Sequence, residues 1–196
     1  MTSFFHEEQK RFQEKMKTTK IANRLESTRR RIEFNEADAQ IIGSAHFFFL
    51  GSVTPDGGVD CSIKCGPPGF VHVVGANTLR FPDYDGNGMF RSLGNIQATA
   101  KVALLFVEFW GEKRKLRILG RAQVRKEPKI VDTFPGAQLA VEVQVTDIFP
   151  NCPRYLPTME ILQRSEYVLA LGKEALEPAW KSKPDLADYV HGRKAL

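Results

Sequence analysis

The sequence contains few of the features that mark membrane, secreted and metal-binding proteins. None of its apolar runs approaches the roughly 18 residues of a transmembrane helix. The N-terminal residues mix acidic and basic side chains and do not resemble a secretory signal, so we expect a cytoplasmic protein without a membrane partner. The three cysteines are an odd number without zinc-type spacing, which disfavours both a disulfide framework and a structural metal site.

Several catalytic motifs are also missing. There is no GxSxG or Walker pattern, and the four histidines are scattered without HExxH spacing. Gly86 and Gly88 give a partial match to a dinucleotide-binding loop, but Arg91 replaces its third glycine. No alternation of strands and helices surrounds that loop. Hydrolysis, metal catalysis and a Rossmann fold are therefore disfavoured.

The composition predicts one packed domain with a mildly basic surface. Hydrophobic residues make up 42% of the 196-residue chain and include 14 phenylalanines, enough for a sizeable core. The net charge of +5 is compatible with nucleic acid or with phosphorylated small molecules. Much of that charge lies near the N-terminus, where a solvated face is the simpler explanation.

The hydrophobic pattern predicts mainly strands. Apolar residues spaced among charges predict a helical arm before residue 35, and a short helix follows over residues 36–42 with Asn35 as its N-cap. One further helix, over residues 89–98, interrupts six or seven strands, so an antiparallel barrel fits better than an α/β sheet. The expected strands cover residues 46–53, 59–64, 70–74, 78–81, 101–110, 115–124 and 138–148.

Two of these strands carry additional information. Residues 101–110 are almost continuously apolar, as expected for a strand covered on both faces. Residues 115–124 alternate, which predicts one buried face and one solvated face.

A glycine-rich loop between a strand and a helix is the strongest candidate for chemistry. Residues 78–95 have this arrangement, which directs unpaired backbone N–H groups and the positive end of a helix at one point, where a phosphate is stabilised. Arg91 and Ser92 lie on the first turn, and Lys64 at the end of a strand supplies a second cation. A turn followed by a helix with a solvated arginine is the alternative.

Four runs carry a family resemblance: GSVTPDGGVDCSIKCGPPGF, TLRFPDYDGNGMFRSLGNI, VALLFVEF and IFPNCPRY. In this order they resemble the pyridoxamine 5'-phosphate oxidase-like, FMN-binding split-barrel family. The resemblance implies a mainly β fold, a six-stranded antiparallel split β-barrel with flanking helices. It also implies a homodimer with FMN at the subunit interface. The domains expected on this basis are a helical arm (1–34), an FMN-binding split-barrel domain (35–165) and a C-terminal tail packed on the barrel or the partner subunit (166–196).

The resemblance also implies a set of FMN contacts. Ser92 departs from the oxidases, which have a lysine there, so Lys64 and helix N–H groups have to contribute more. A cation at Lys115, near the flavin ring, favours an anionic reduced flavin. No catalytic residue and no metal ligand is assigned. The expected cofactor-binding residues are Ser62, Lys64, Pro82, Asp83, Arg91, Ser92, Asn95, Lys115 and Arg154.

The function implied is that of an FMN-dependent oxidoreductase, either a reductase or an oxidase, that acts on an unidentified small molecule. Its flavin would accept a hydride from the substrate or from a nicotinamide donor. The chain closes with SKPDLADYVHGRKAL and lacks the Trp-Arg-x-Arg-Leu segment with which the oxidases bind pyridoxamine phosphate. A vitamin B6 oxidase is therefore disfavoured. A non-catalytic flavin-binding or sensing module and a flavin-free nucleic-acid protein stay open, and relatives of this fold carry haem or a deazaflavin instead.

Overall fold

A computed structural model of the chain describes residues 4–168 and 176–190. Helices surround one sheet, and two short 3-10 helices, Ala179–Ser182 and Ala187–Tyr189, follow it. The helices are α1 (Glu7–Lys15), α2 (Thr19–Arg29), α3 (Glu36–Ser44), α4 (Arg91–Thr99) and α5 (Pro128–Val131). The strands are β1 (Phe47–Val53), β2 (Val59–Cys65), β3 (His72–Gly75), β4 (Thr78–Asp83), β5 (Lys101–Glu108), β6 (Arg114–Arg125) and β7 (Leu139–Asn151).

The sheet is antiparallel and has seven strands in the order β2-β1-β5-β6-β7-β4-β3. Its edge strands, β2 and β3, do not pair with each other in the described part of the chain, so the sheet is not closed into a ring. The predicted mainly β, split-barrel fold is confirmed. The seven strands correspond to the seven ranges that the hydrophobic pattern predicts, and they exceed the six implied by the family resemblance by the short edge strand β3, which pairs with β4.

The core is built from aromatic rings on the inner face of the sheet. Strand β1 alternates, with Phe48 and Leu50 fully buried. The Phe48 ring lies 5.0 Å from the ring centroids of both Phe81 and Phe106, across strands that come together only in the folded sheet. Aromatic pairs in this range add to the free energy gained by burying their apolar surface.

Helix α3 begins at the predicted cap. The Asn35 side chain accepts a hydrogen bond from the Asp38 N–H (2.9 Å), and the Asp38 carboxylate accepts one from the Asn35 N–H (3.1 Å). Arg31 donates two further bonds, of 2.6 and 2.8 Å, to the buried Asp38 carboxylate. This reciprocal cap fixes the entry of the chain into the sheet.

The alternation predicted for β6 is confirmed, whereas the prediction of two covered faces for β5 is wrong for the single chain. In β6, Leu116 and Ile118 are buried and Arg117 is exposed. In β5, Ala103 and Leu105 are only half-buried, whereas Val102, Leu104 and Phe106 on the other face are buried.

The two N-terminal helices contribute no buried side chain to the core. The chain reaches the sheet just before and just after them: the Phe4 ring contacts the Phe149 ring at 5.4 Å, and Arg30 donates to Asp147 at 2.6 Å. Helix α5 lies in a stretch where the pattern had predicted no element. Within the described residues, no helix combines the length and apolarity needed to cross a bilayer.

Gly120 in β6 lies so close to the backbone of β7 that a substitution can test the contact. A Cβ on Gly120 would lie 2.6 Å from the Gln144 carbonyl oxygen, beside the register shift between β6 and β7. We expect Gly120→Ala to lower the free energy of unfolding by roughly 1–3 kcal/mol, measured by urea titration. Gly51→Ala is the matched control, because its nearest contact, with Ala103, is an ordinary 3.6 Å. Equal stability of the two variants would contradict the prediction.

Candidate functional site

A cavity of about 300 Å³ lies where β2, the end of β4 and the start of α4 meet. The glycine-rich loop over residues 84–90 forms its outer wall. Five of the predicted cofactor-binding residues line it: Ser62, Lys64, Asp83, Arg91 and Ser92.

Helix α4 begins at this cavity without a side-chain cap. Its N-cap residue, Phe90, has a left-handed backbone (φ +49) and makes no capping hydrogen bond through its side chain. The loop before it is shaped by Gly88 (φ +75) and by Asn87, whose side chain accepts a bond from the Met89 N–H at 3.0 Å. The first N–H groups of a helix lack partners within the helix, so this end favours an anion.

Two hydroxyl groups join the strand to the helix inside the cavity. The Ser62 and Ser92 oxygens lie 3.1 Å apart, and Ser92 is 8% exposed. Alternation along β2 turns Asp60, Ser62 and Lys64 to the same side, toward α4.

Each cation at the cavity faces a carboxylate. Lys64 Nζ lies 3.6 Å from Asp83 Oδ1, and the Arg91 guanidinium lies 3.5 Å from Asp60 Oδ1. A third pair closes the outer wall, where Lys181 from the C-terminal segment donates to Asp85 at 2.5 Å. The cavity is therefore close to charge balance, whereas the sequence had predicted a pocket dominated by the cations Lys64 and Arg91.

Burial changes the acidity of two groups in the wall. It raises the pKa of the Asp83 carboxyl, a change that Lys64 opposes and Asp85 reinforces. It also raises the pKa of the Tyr84 phenol, which keeps that hydroxyl protonated near neutral pH.

The other four predicted residues do not line this cavity. Asn95 is buried and donates instead to the Ser52 hydroxyl at 3.0 Å. Pro82 lies within β4 opposite Ala140, and Lys115 lies in β6 between Val107 and Asn151. Arg154 is exposed, with its guanidinium 6.0 Å from the Tyr155 ring. Their contacts with a cofactor stay predictions.

Sequence reasoning missed three charged residues of the site. Asp60 was open to inference, because it precedes Ser62 and Lys64 at the two-residue spacing of one strand face. Asp85 lies in the loop already singled out, but nothing in the sequence links it to Lys181, 96 residues away. The three cysteines are free and exposed.

Comparison with known proteins supports an assignment to a family. The family model described as pyridoxamine 5'-phosphate oxidase matches residues 34–152. A search among curated proteins gave no match.

One solved structure with low sequence identity shares the fold, and two others show weaker similarity. HupZ from Group A Streptococcus is 14% identical, with a TM-score of 0.50, over 60% of this chain and 93% of that one. A candidate pyridoxamine 5'-phosphate oxidase from Lactobacillus delbrueckii is 19% identical, with a TM-score of 0.49, over 62% and 99% of the two chains. An FMN-binding protein from Syntrophomonas wolfei is 13% identical, with a TM-score of 0.46, over 73% and 96%.

The family model covers the sheet from β1 to the end of β7, together with the cavity at the start of α4. Because this match extends over more than half of the chain, the protein belongs to the pyridoxamine 5'-phosphate oxidase family of split-barrel proteins.

Proposed function

We propose that the protein binds FMN with its phosphate at the start of α4, and that it acts as an FMN-dependent oxidoreductase on a small molecule. The observation that carries this proposal is the uncapped end of α4, which opens into a cavity holding Lys64, Arg91 and two serine hydroxyls. Membership of the pyridoxamine 5'-phosphate oxidase family supports the choice of a flavin.

The residues present fit a phosphate monoester. Helix N–H groups and the hydroxyls of Ser62 and Ser92 are donors, and the ammonium of Lys64 and the guanidinium of Arg91 supply charge-assisted bonds. FMN, when bound, supplies hydride and electron transfer, and the protein supplies position and electrostatics.

The carboxylates paired with these cations compete with a bound phosphate and so limit its affinity. A phosphate reaching Arg91 has to compete with Asp60, and one reaching Lys64 has to compete with Asp83. Because Asp83 is buried and its pKa is raised, its protonation releases Lys64 for an anion at a pH above that of an ordinary aspartate.

We further propose a homodimer, supported by a partly exposed apolar face on one side of the sheet. Phe49 pairs with Ile63 on β2 and with Leu105 on β5, so the three side chains share the outer face. Ile63 is 53% exposed and Val59 is 83% exposed. A contiguous apolar face of this kind marks a protein interface more often than a free surface.

A non-catalytic flavin-binding module is the second candidate. It is favoured by the cavity lining, which within the described residues includes no histidine to transfer protons near neutral pH. Anaerobic mixing of the FMN-loaded protein with NADH and NADPH separates the two functions. Bleaching of the flavin absorption by either donor supports the oxidoreductase, whereas a spectrum unchanged by both donors supports the module.

Replacing a side chain that binds the phosphate is expected to weaken the binding of FMN. The binding of riboflavin, which has no phosphate, should be unaffected. Lys64→Met and Arg91→Gln should each lower FMN affinity roughly tenfold or more, because each deletes a charge-assisted bond. Flavin fluorescence titrations measure both ligands. Lys101→Met, on an exposed lysine of β5, is the matched control. Equal weakening of FMN and riboflavin would place these side chains away from the phosphate.

Anion binding is expected to strengthen as the pH falls. Sulfate is a suitable probe because it stays a dianion between about pH 5 and 8, whereas burial raises the pKa of Asp83, so a falling pH protonates this carboxyl before an ordinary aspartate and frees Lys64. Calorimetric titration should show tighter sulfate binding at pH 5 than at pH 8. Asp83→Asn should bind more tightly at pH 8 and lose most of this dependence. A variant with the wild-type pH profile would exclude Asp83 as the cause.

A charge on the partly exposed apolar face should separate the proposed dimer. We expect a solution mass of twice the 22.1 kDa chain for the wild type and a monomer for Ile63→Lys, since burying the ammonium at an interface is costly. Sedimentation equilibrium measures both masses. Val74→Lys changes a 44% exposed residue on the opposite edge strand and should stay dimeric. A wild-type monomer at tens of micromolar would refute the dimer.

A further inference from the structure

The helical arm before α3 is attached to the sheet at its two ends. At the start, the Phe4 ring contacts the Phe149 ring, and at the end the backbones of Arg31 and Ile148 exchange two hydrogen bonds, of 2.9 and 2.7 Å. Between these attachments, α1 and α2 bury no side chain. The core of the protein therefore does not account for the apolar residues that the two helices carry.

Each helix of the arm exposes a pair of apolar side chains that lie one turn apart and so share one face. On α1, Phe12 and Met16 are 66% and 67% exposed. On α2, Ile21 and Leu25 are 53% and 49% exposed. A short turn at Lys17, whose backbone is left-handed (φ +57), joins the two helices. These two pairs form the apolar stripe of the arm, and the described part of the chain buries none of them.

A basic residue directly precedes each member of the apolar stripe. The four are Arg11, Lys15, Lys20 and Arg24. Adjacent residues are separated by about 100° around a helix, so these cations follow one border of the stripe. Arg11 is paired with Glu8, whereas the other three form no ion pair within residues 4–168 and 176–190.

Two other acidic residues of the arm lie away from the stripe. Glu14 follows Phe12 by two positions, which places it on the opposite face of α1. Glu26 on α2 is half-buried and is paired with Arg30 at 3.5 Å. The surface beside the apolar stripe therefore has a surplus of positive charge, to which Lys17 at the turn also contributes.

We propose that the helical arm is a peripheral membrane anchor that lies on a bilayer rich in anionic lipids. The apolar stripe enters the boundary between headgroups and acyl chains, and the bordering cations contact the lipid phosphates. This proposal goes beyond the flavin site and uses none of its residues. The expectation of no membrane partner came from the absence of a spanning segment, which a helix lying on the surface does not need.

Charge and apolarity together favour a lipid surface over two other occupants. The arm of a second copy, facing this one, would bring like charges together at short range. A nucleic-acid backbone would neutralise the cations but would leave the apolar stripe exposed to water. A bilayer with anionic headgroups provides a partner for both sets of side chains.

Co-sedimentation of the full chain with lipid vesicles tests the proposal. The wild type should bind vesicles of phosphatidylcholine and phosphatidylglycerol at a ratio of about 7:3, and should bind pure phosphatidylcholine at least roughly tenfold more weakly. Lys20→Gln combined with Arg24→Gln should lower affinity for the mixed vesicles roughly tenfold or more, because each cation near an anionic surface contributes about a fivefold factor. Phe12→Asn combined with Leu25→Asn should cost a similar factor through the lost insertion.

Matched controls replace exposed residues of the same types on the sheet. Lys101→Gln combined with Arg121→Gln removes two cations that face each other on β5 and β6, and Val74→Asn removes an apolar side chain that is 44% exposed. Both should bind the mixed vesicles as the wild type does. Lys64→Met should also bind them normally, which separates this inference from the proposed flavin site. Circular dichroism shows whether each variant keeps its helices.

Three results would each overturn the inference. The first is a wild type that does not bind the mixed vesicles or binds both kinds equally. The second is a loss of binding in the charge variant without a loss in the stripe variant, which would indicate a purely electrostatic contact such as one with nucleic acid. The third is a stripe variant that changes the solution mass and leaves vesicle binding intact, which would make the stripe a contact between copies of this chain.

Discussion

Helix α4 is held on strand β1 by a buried hydrogen bond of 3.0 Å from the Asn95 amide to the Ser52 hydroxyl. The two residues are 9% and 1% exposed, so an apolar replacement of either would leave its partner buried without a bond, at a cost of about 1–3 kcal/mol. Leu93 and Ile96 pack into the core from the same helix. The open end of α4 is therefore fixed beside Ser62, and the position of the cavity follows from this attachment.

The attachment of α4 also helps to explain how the site holds pairs of opposite charges at short range. A helix end fixed against a strand brings Arg91 near Asp60, while the end of β4 brings Asp83 near Lys64. The ion pairs stabilise the cations when no ligand is bound, which avoids leaving buried charge unpaired. Each cation can bind either its carboxylate or an anionic ligand, so the affinity for the anion depends on the difference between these two interactions. A modest change in the protonation of one carboxylate therefore changes the affinity for the anion.

Local patterns were sufficient to predict most of the fold. The strands predicted over residues 46–53 and 59–64 became β1 and β2, on either side of a Pro-Asp-Gly-Gly turn, and Asn35 marked the start of α3, because these signals depend on residues adjacent in sequence. Helix α5, only four residues long, is too short to show a periodicity, and β7 continues through Asn151, three residues past its predicted end. The half-covered outer face of β5 could not be foreseen, since burial there depends on what lies over the sheet.

The sequence predicted the cations and hydroxyl groups of the candidate site and not its counter-charges. Lys64, Arg91 and Ser92 were found because a glycine-rich loop before a helix has a known electrostatic consequence. Asn95 was assigned to the cofactor, yet the structure shows that it joins helix to strand. The pairing of Asp85 with Lys181 joins positions 96 residues apart, a separation that no local signal spans. That separation has a consequence for biosynthesis: the glycine-rich loop gains this contact only after the ribosome has added Lys181, which follows the last strand in the chain, so the outer wall of the cavity is completed after the sheet has been synthesised.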